Sequence, residues 1–258
     1  MGPAWYSRST VAPSTKSVLD VARFASIEDP REIPAYGIEE AALYLQVPPA
    51  TLRSWFFGRD YPVKRGRARF QPLIRPASAE GVRLLSFLNL VEAHVLSAIR
   101  QEFEVDLAAV RRALHFVEKR RPSRHPLADR SFETDGQDLF IRELGQLIAA
   151  SSGGQKAMRE ILDAHLKRID RDDRGMALRL YLFTRRGVHA PDAPRIVLVD
   201  PGVSFGRPVL AGTGIPTAVI AERFKAGETI ADLAADYDRS PGEIEEALRC
   251  EQFFQRAA

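Results

Sequence analysis

Cysteine occurs once in the 258 residues, at Cys250. A single thiol excludes a disulfide framework and a cysteine-rich metal site. Its place in a helical pattern reads as a half-buried packing residue. No stretch reaches the roughly 18 uninterrupted apolar residues of a membrane helix, and no apolar segment follows a basic start. His-Glu-x-x-His is absent, as is the Gly-Lys-Ser/Thr ending of a phosphate loop. These absences leave no common metal or nucleotide signature, and no cofactor or metal is expected.

What is present is 45% apolar and 28% charged residues, enough for one large or two modest cores in a soluble, globular chain. A cytoplasmic protein without a membrane partner is the expectation. The net charge of +3 conceals a division. Between Arg53 and Arg83, eight basic residues (Arg53, Arg59, Lys64, Arg65, Arg67, Arg69, Arg75, Arg83) face Asp60 and Glu80, a net of +6. Between Gly227 and Glu251, eight acidic residues face Arg239 and Arg249, a net of −6. One end suits a polyanion and the other repels it.

Residues 1–34 carry Ser, Thr and Pro without sustained period and read as a flexible tail, with one short helical turn at Val18–Phe24. From Ala35 the pattern sharpens. Ile38, Ala41, Ala42 and Leu45 mark one face of a short helix, with Glu39 and Glu40 in its first turn. After Val47, Pro48 and Pro49 can begin a second helix, whose inner side is Leu52, Trp55 and Phe56. Its outer residues, Ala50, Thr51, Arg53 and Ser54, are small or polar and suit a major groove. Two short helices across a tight corner make a helix-turn-helix.

Val63 and Phe70 then flank Lys64, Arg65, Gly66, Arg67 and Arg69, which predicts a hairpin with a basic tip. Thr51, Leu52, Arg53 and Trp55, with the preceding helix and corner and this wing, resemble the MerR-like winged helix over residues 35–77. Gln46 stands where that family's turn usually has Gly, and Pro48 where a capping side chain usually sits. The DNA contacts expected on this reading are Thr51 and Arg53 toward bases and Lys64, Arg65, Arg67 and Arg69 toward phosphates, with Ser54 and Arg59 as further DNA-binding residues.

Ser78 is read as the start of a long helix with the stripe Leu84, Leu85, Leu88, Val91, Val95, Leu96 and Ile99. Within it, His94 reads as a satisfied core or interface histidine. Asp106 caps another helix with the stripe Leu107, Val110, Leu114 and Val117. Residues 78–124 are therefore expected to be a helical linker that supplies a dimer contact. Residues 125–192 read as a small α+β segment. It has a hairpin around Asp135-Gly136, a helix over Gln155–Ile169 and a strand at Ala177–Phe183, and Arg195–Val199 just beyond it reads as another strand. No motif in it carries chemistry.

Asp200–Thr217 is dense in Gly and Pro and must be a loop. Three helical patterns follow it, with Thr229/Asp232 and Ser240/Glu243 close to capping boxes and Gly227 at a helix end. The chain is thus predicted to be mainly α with a small α+β middle, a winged helix-turn-helix at the N-terminus and a three-helix bundle over 193–258.

Gly202-Val203-Ser204-Phe205-Gly206 matches the nucleophile elbow Gly-x-Ser-x-Gly. That pattern needs a helix directly after the serine and a histidine later in the chain. Pro208 blocks the helix, and the last histidine is His189. No catalytic constellation is present, and a non-enzyme is expected.

The order Asp200-Pro201, Phe205-Gly206-Arg207-Pro208-Val209, Gly212-Thr213, Ile215-Pro216, Ala226-Gly227-Glu228 and Ile230 resembles the domain of unknown function 433, over residues 195–252. A MerR-like winged helix ahead of it is similar to the longer VapB-type antitoxins. The resemblance implies a type II antitoxin that neutralises a PIN-like ribonuclease and binds operator DNA as an autorepressor, as a homodimer. Phe205, Arg207 and Arg239 are the expected protein contacts. The alternative is an effector-sensing MerR-like regulator without a toxin, using the middle segment as its pocket. A purely structural interaction module is a third reading, but it leaves the basic wing without a role.

Overall fold

A computed structural model of the chain describes residues 29–64, 66–77, 83–102, 106–148, 150–184 and 193–256. The turn expected at Val18–Phe24, and Arg65, lie outside these residues. The fold is mainly α with small sheets, as the periodicities predict. The first described residues, from Asp29, are tied to the rest of the chain. There Arg31 donates to Asp29, to Asp172 at 2.7 Å and to the Ala177 carbonyl at 3.2 Å, pinning the segment to the middle of the chain.

Strand β1 (Tyr36–Gly37) leads into α1 (Ile38–Leu45) and, after the corner, α2 (Pro49–Phe57). The wing is β2 (Arg59–Val63) paired antiparallel with β3 (Gly66–Phe70). Its return is fixed because Leu73 and Ile74 donate their amides to the Trp55 carbonyl at 2.7 and 3.2 Å.

The long helix does not begin at Ser78. Leu84–Leu85 form β4, paired with β1, and α3 runs Phe87–Glu102. Ser86 and Asn89 set that start reciprocally: the Asn89 amide donates to the Ser86 hydroxyl at 3.2 Å, and the Ser86 amide to Asn89 Oδ1 at 3.4 Å. Helix α4 (Leu107–Arg120) is capped by Asp106, whose carboxylate accepts from the Ala108 amide at 3.1 Å.

The hairpin expected at Asp135-Gly136 is absent. A π-turn, Phe132–Gly136, runs directly into α5 (Gln137–Leu147). Phe132, Phe140 and Leu144 recur at fourfold spacing and all are buried, so the helical period overrides the Asp-Gly turn signal. Helix α6 (Ser152–Leu166) follows.

A four-stranded antiparallel sheet comes next, in the order β5 (Ile169–Arg171), β6 (Ala177–Tyr181), β7 (Val197–Val199), β8 (Val209–Leu210). It crosses the expected boundary at 192/193, because its first two strands belong to the middle segment and its last two to the C-terminal one. The bundle is α7 (Thr217–Lys225), α8 (Ile230–Asp236) and α9 (Pro241–Arg256).

One hydrophobic core runs from Tyr36 through Leu52, Trp55, Leu88, Phe140, Leu180 and Val199 to Cys250. Each large apolar side chain in it contributes about 1.5–3 kcal/mol. A second, smaller core (Leu210, Ile220, Leu233, Ile244, Ala247) holds the bundle. The winged helix is therefore not an appendage: its inner face is continuous with the sheet and the last helix.

Two buried polar centres lie between these parts. Glu92 accepts from His125 Nδ1 at 3.0 Å and from Asn89 at 3.3 Å, and burial pushes its carboxyl up. Arg168, only 2% exposed, donates to the carbonyls of Tyr181, Leu182, Ala193 and Pro194 at 3.0, 2.5, 2.7 and 3.0 Å. His94 is buried, as expected, with Nε2 at 3.1 Å from the His165 carbonyl.

Candidate nucleic-acid interface

The corner between α1 and α2 requires a left-handed residue, and Gln46 adopts φ 55° and ψ 35° there. Without glycine this costs roughly 1–2 kcal/mol. Its side chain offsets part of the cost by donating to the Phe183 carbonyl at 2.7 Å. Pro48 gives α2 no side-chain cap. Instead the Pro48 carbonyl accepts from the Thr51 and Leu52 amides at 2.9 and 3.1 Å, and the proline ring fixes φ.

Leu52, Trp55 and Phe56 face inward on α2, as the pattern predicts. Ala50 is exposed, and Thr51 and Arg53 are half-exposed. Ser54 is not on this outer face: it is buried, and its hydroxyl donates to the Thr51 carbonyl at 2.7 Å. Arg53 reaches back to Glu39 in the first turn of α1, at 2.6 Å, which ties the second helix to the first.

In an antiparallel ribbon directly opposed residues share a face. The register pairs Arg59 with Phe70, Asp60 with Arg69, Tyr61 with Ala68 and Pro62 with Arg67. Arg67 and Arg69 therefore share one face of the wing with Asp60 and Pro62, and Arg59 lies on the other with Tyr61 and Phe70. Arg69 is partly engaged, 3.7 Å from Asp60 and donating to the Phe57 carbonyl at 3.4 Å. Arg59, Lys64 and Arg67 make no ion pair among the described residues. Lys64 sits in the turn beside Gly66, whose φ of 104° a side chain would resist. Tyr61 and Val63 are both exposed on the ribbon.

The charge pattern did not single out Arg111, which lies on α4. Its guanidinium stacks over Phe70 at 4.5 Å and donates to the Gln71 carbonyl, so it braces the base of the wing. A cleft of about 540 Å³ opens between Pro72–Pro76 and α4, lined by Leu73, Leu114, Arg75, Arg111, Arg112 and Glu118. The adjacent Arg-Arg pair at 111–112, on an otherwise amphipathic helix, was the available signal.

At the other end of the chain, Asp200 anchors the Gly-Pro loop. One carboxylate oxygen accepts from the Gly202 amide at 2.8 Å and the other from Arg179 at 2.9 Å. Ser204, Phe205 and Gly206 then take φ values of 47°, 57° and 74°. Ser204 is no nucleophile elbow: its hydroxyl donates to the Gly214 carbonyl at 2.8 Å, and only a single 3-10 turn follows. Phe205 and Arg207 are exposed. Arg239 instead donates to the Gly212 carbonyl at 3.3 Å and lies 3.7 Å from Glu243, which makes it a brace of the loop.

Both expected capping boxes form. Hydrogen bonds from the Thr229 hydroxyl and amide hold the Asp232 carboxyl below its ordinary value. The Ser240 amide does the same for Glu243, with smaller help from the Ser240 hydroxyl and Arg239. Among the described residues there is no cluster of metal-ligating side chains and no helix long and apolar enough to cross a membrane.

Comparison with known proteins places both ends. Residues 34–114 match the family described as "Putative DNA-binding HTH domain", and residues 197–249 match "Protein of unknown function (DUF433)". Over 233 residues the chain is 30% identical to "Putative antitoxin VapB45" of Mycobacterium tuberculosis, covering 84% of this chain and 93% of the relative. The chain belongs to the VapB-type antitoxin family. A second M. tuberculosis relative, "Uncharacterized protein Rv2308", is 25% identical to this VapB-type chain and matches 84% of it and 89% of itself. The crystal structure of Rv2018 from the same organism superposes with a TM-score of 0.60 at 26% identity, covering 84% of the VapB-type chain and 98% of Rv2018. The DNA-binding match extends past the wing to Leu114, so it includes Arg111 and Arg112.

Proposed function

We propose that this chain is a type II antitoxin that neutralises a PIN-like ribonuclease and represses its own operon by binding operator DNA as a homodimer. The observation that carries the DNA part is the wing. An exposed ribbon presents Lys64 and Arg67 without ion-pair partners among the described residues, and Arg69 only partly engaged, next to a helix with Thr51 and Arg53 on its open side. Unengaged cations on a protruding ribbon suit phosphates, and Thr51 and Arg53 suit base edges. The acidic bundle opposes phosphate and favours a protein partner.

Two experiments test this reading. Co-expression of the chain with a PIN-like ribonuclease toxin from the same genome should relieve growth arrest, and the purified chain should bind its own promoter as a dimer in a gel-shift assay. Continued arrest with no promoter binding would overturn the proposal.

A second reading, an effector-sensing regulator, draws on the cleft behind the wing. That cleft lies between Pro72–Pro76 and α4, not in the α+β segment. Ligand-dependent promoter binding in the absence of any ribonuclease would favour it.

A further inference from the structure

Phe205 is 94% exposed. A phenyl ring in that position contributes no burial to the described fold, and the backbone that carries it is strained. Ser204, Phe205 and Gly206 are three successive residues with positive φ, and two of them have side chains that disfavour that region. The turn is nevertheless held from three sides. The Ser204 hydroxyl closes it onto the Gly214 carbonyl, Asp200 fixes its approach, and Gly206 is seated against Tyr36. A Cβ on Gly206 would lie 2.2 Å from the Tyr36 hydroxyl oxygen. Next in the chain, Arg207 is exposed and makes no ion pair among the described residues.

We propose that the 204–207 turn is a rigid plug, with Phe205 entering an apolar socket on a protein partner and Arg207 meeting a carboxylate at the socket's edge. An aromatic ring and an arginine side by side, on preorganised backbone, are the side chains that dominate interface energetics. The strain is then maintained for the bound state.

Charge selects the occupant. Nucleic acid is disfavoured because the loop opens into the bundle with Asp232, Asp236, Asp238 and Glu243. A second copy of this chain is disfavoured as well. The apolar cleft behind the wing is rimmed by Arg75, Arg111 and Arg112 with one carboxylate, Glu118, which already pairs with Arg75 at 3.2 Å, so its net positive rim would oppose Arg207. The partner is therefore a different protein with an apolar pocket and an acidic rim. The proposal rests on the antitoxin reading above, which names that partner as the PIN-like ribonuclease.

The test is calorimetric titration of the full-length chain with that ribonuclease, using wild type, Phe205→Asn and Arg207→Glu. Asn tolerates positive φ better than Phe, so Phe205→Asn should melt at the same temperature as wild type or higher. Its affinity for the ribonuclease should fall by roughly 30-fold or more. Arg207→Glu should weaken binding by about tenfold or more without changing the melting temperature. If wild type binds and Phe205→Asn binds equally well, the plug is wrong and the antitoxin reading stands. A clear drop in the melting temperature of Phe205→Asn would show the ring covered by its own chain. A wild-type oligomer that dissociates in Phe205→Asn would show a second copy as the occupant. Either result overturns the proposal. No binding by wild type overturns the antitoxin reading and the plug together.

Discussion

The hydroxyl of Tyr36, at the start of the helix-turn-helix, occupies the space that a side chain on Gly206 would fill, 170 residues later in the loop that leads into the bundle. This contact seats the Gly-Pro loop on the back of the winged helix. With φ 74° and a hydroxyl 2.2 Å from its Cβ position, Gly206 has two independent reasons to be glycine.

Gly206→Ala should therefore destabilise the chain by roughly 2–3 kcal/mol, from the left-handed backbone and the clash together. Removing the hydroxyl with Tyr36→Phe in the same chain should recover part of that loss. Urea melts of the two single variants and the double variant measure the coupling. Strictly additive effects would show that the two residues do not meet.

Gln46 makes a second long-range tie. Gln46→Ala keeps the left-handed backbone and loses the hydrogen bond to Phe183, so it should cost about 1 kcal/mol. Gln46→Gly loses the same bond but relieves the backbone, and should come out close to neutral. The order of the two variants in a thermal melt checks this.

Most of the fold was legible where one kind of signal acted alone. The inner face of α2, the wing turn at Gly66 and the caps at Asp106, Thr229 and Ser240 each follow from local chemistry, and each is present. Two kinds of error arose where signals competed. At Asp135-Gly136 a turn dipeptide opposed a helical apolar period, and burial of Phe132 and Phe140 decided for the helix. At Leu84–Leu85 the stripe ran into α3 without a break, and only the distant partner Tyr36–Gly37 makes those residues a strand. In the candidate site, charge identified the wing but not its two faces, because only the register separates Arg59 from Arg67 and Arg69. Ser54 looked like an outward polar residue, but its hydroxyl satisfies a carbonyl of its own helix, an option open to any serine. Arg239 also braces the loop, a role set by its tertiary hydrogen bond to Gly212, which no local pattern announces.

Arg168 gives a sharp stability test. Its guanidinium satisfies four backbone carbonyls at the end of β6 and the start of the returning strand, and burial lowers its pKa to about 10. Arg168→Met leaves those acceptors without their donor and should cost roughly 2–4 kcal/mol, read as a lower denaturant midpoint. DNA binding measured well below the melting temperature should be unchanged.

Acid should unfold the chain through a small set of carboxyls. The Arg31 side chain lowers Asp29; hydrogen bonds from Arg31 and the Met176 amide outweigh desolvation at Asp172; and the capping bonds lower Asp232 and Glu243. Each has a folded pKa below its unfolded one. The stabilisation they give is therefore complete above the unfolded values, 3.8 for Asp and 4.5 for Glu, and is lost as pH falls through the folded values. Melting temperatures should begin to fall below about pH 4.5 from this set, and Asp172→Asn should show a shallower fall. Equal acid limbs for variant and wild type would contradict this assignment.

The central claim, that the wing holds DNA, is tested most directly by the salt dependence of promoter binding. Fluorescence anisotropy of the full-length chain on its own promoter, titrated from about 50 to 200 mM salt, gives the slope of log affinity against log salt. Each phosphate that the protein no longer neutralises lowers the magnitude of that slope by roughly 0.9. Arg67→Ala should lower it by about one such step and weaken promoter and unrelated DNA alike, as expected for a residue that binds phosphate. An unchanged slope and affinity in Arg67→Ala combined with Lys64→Ala would contradict the account.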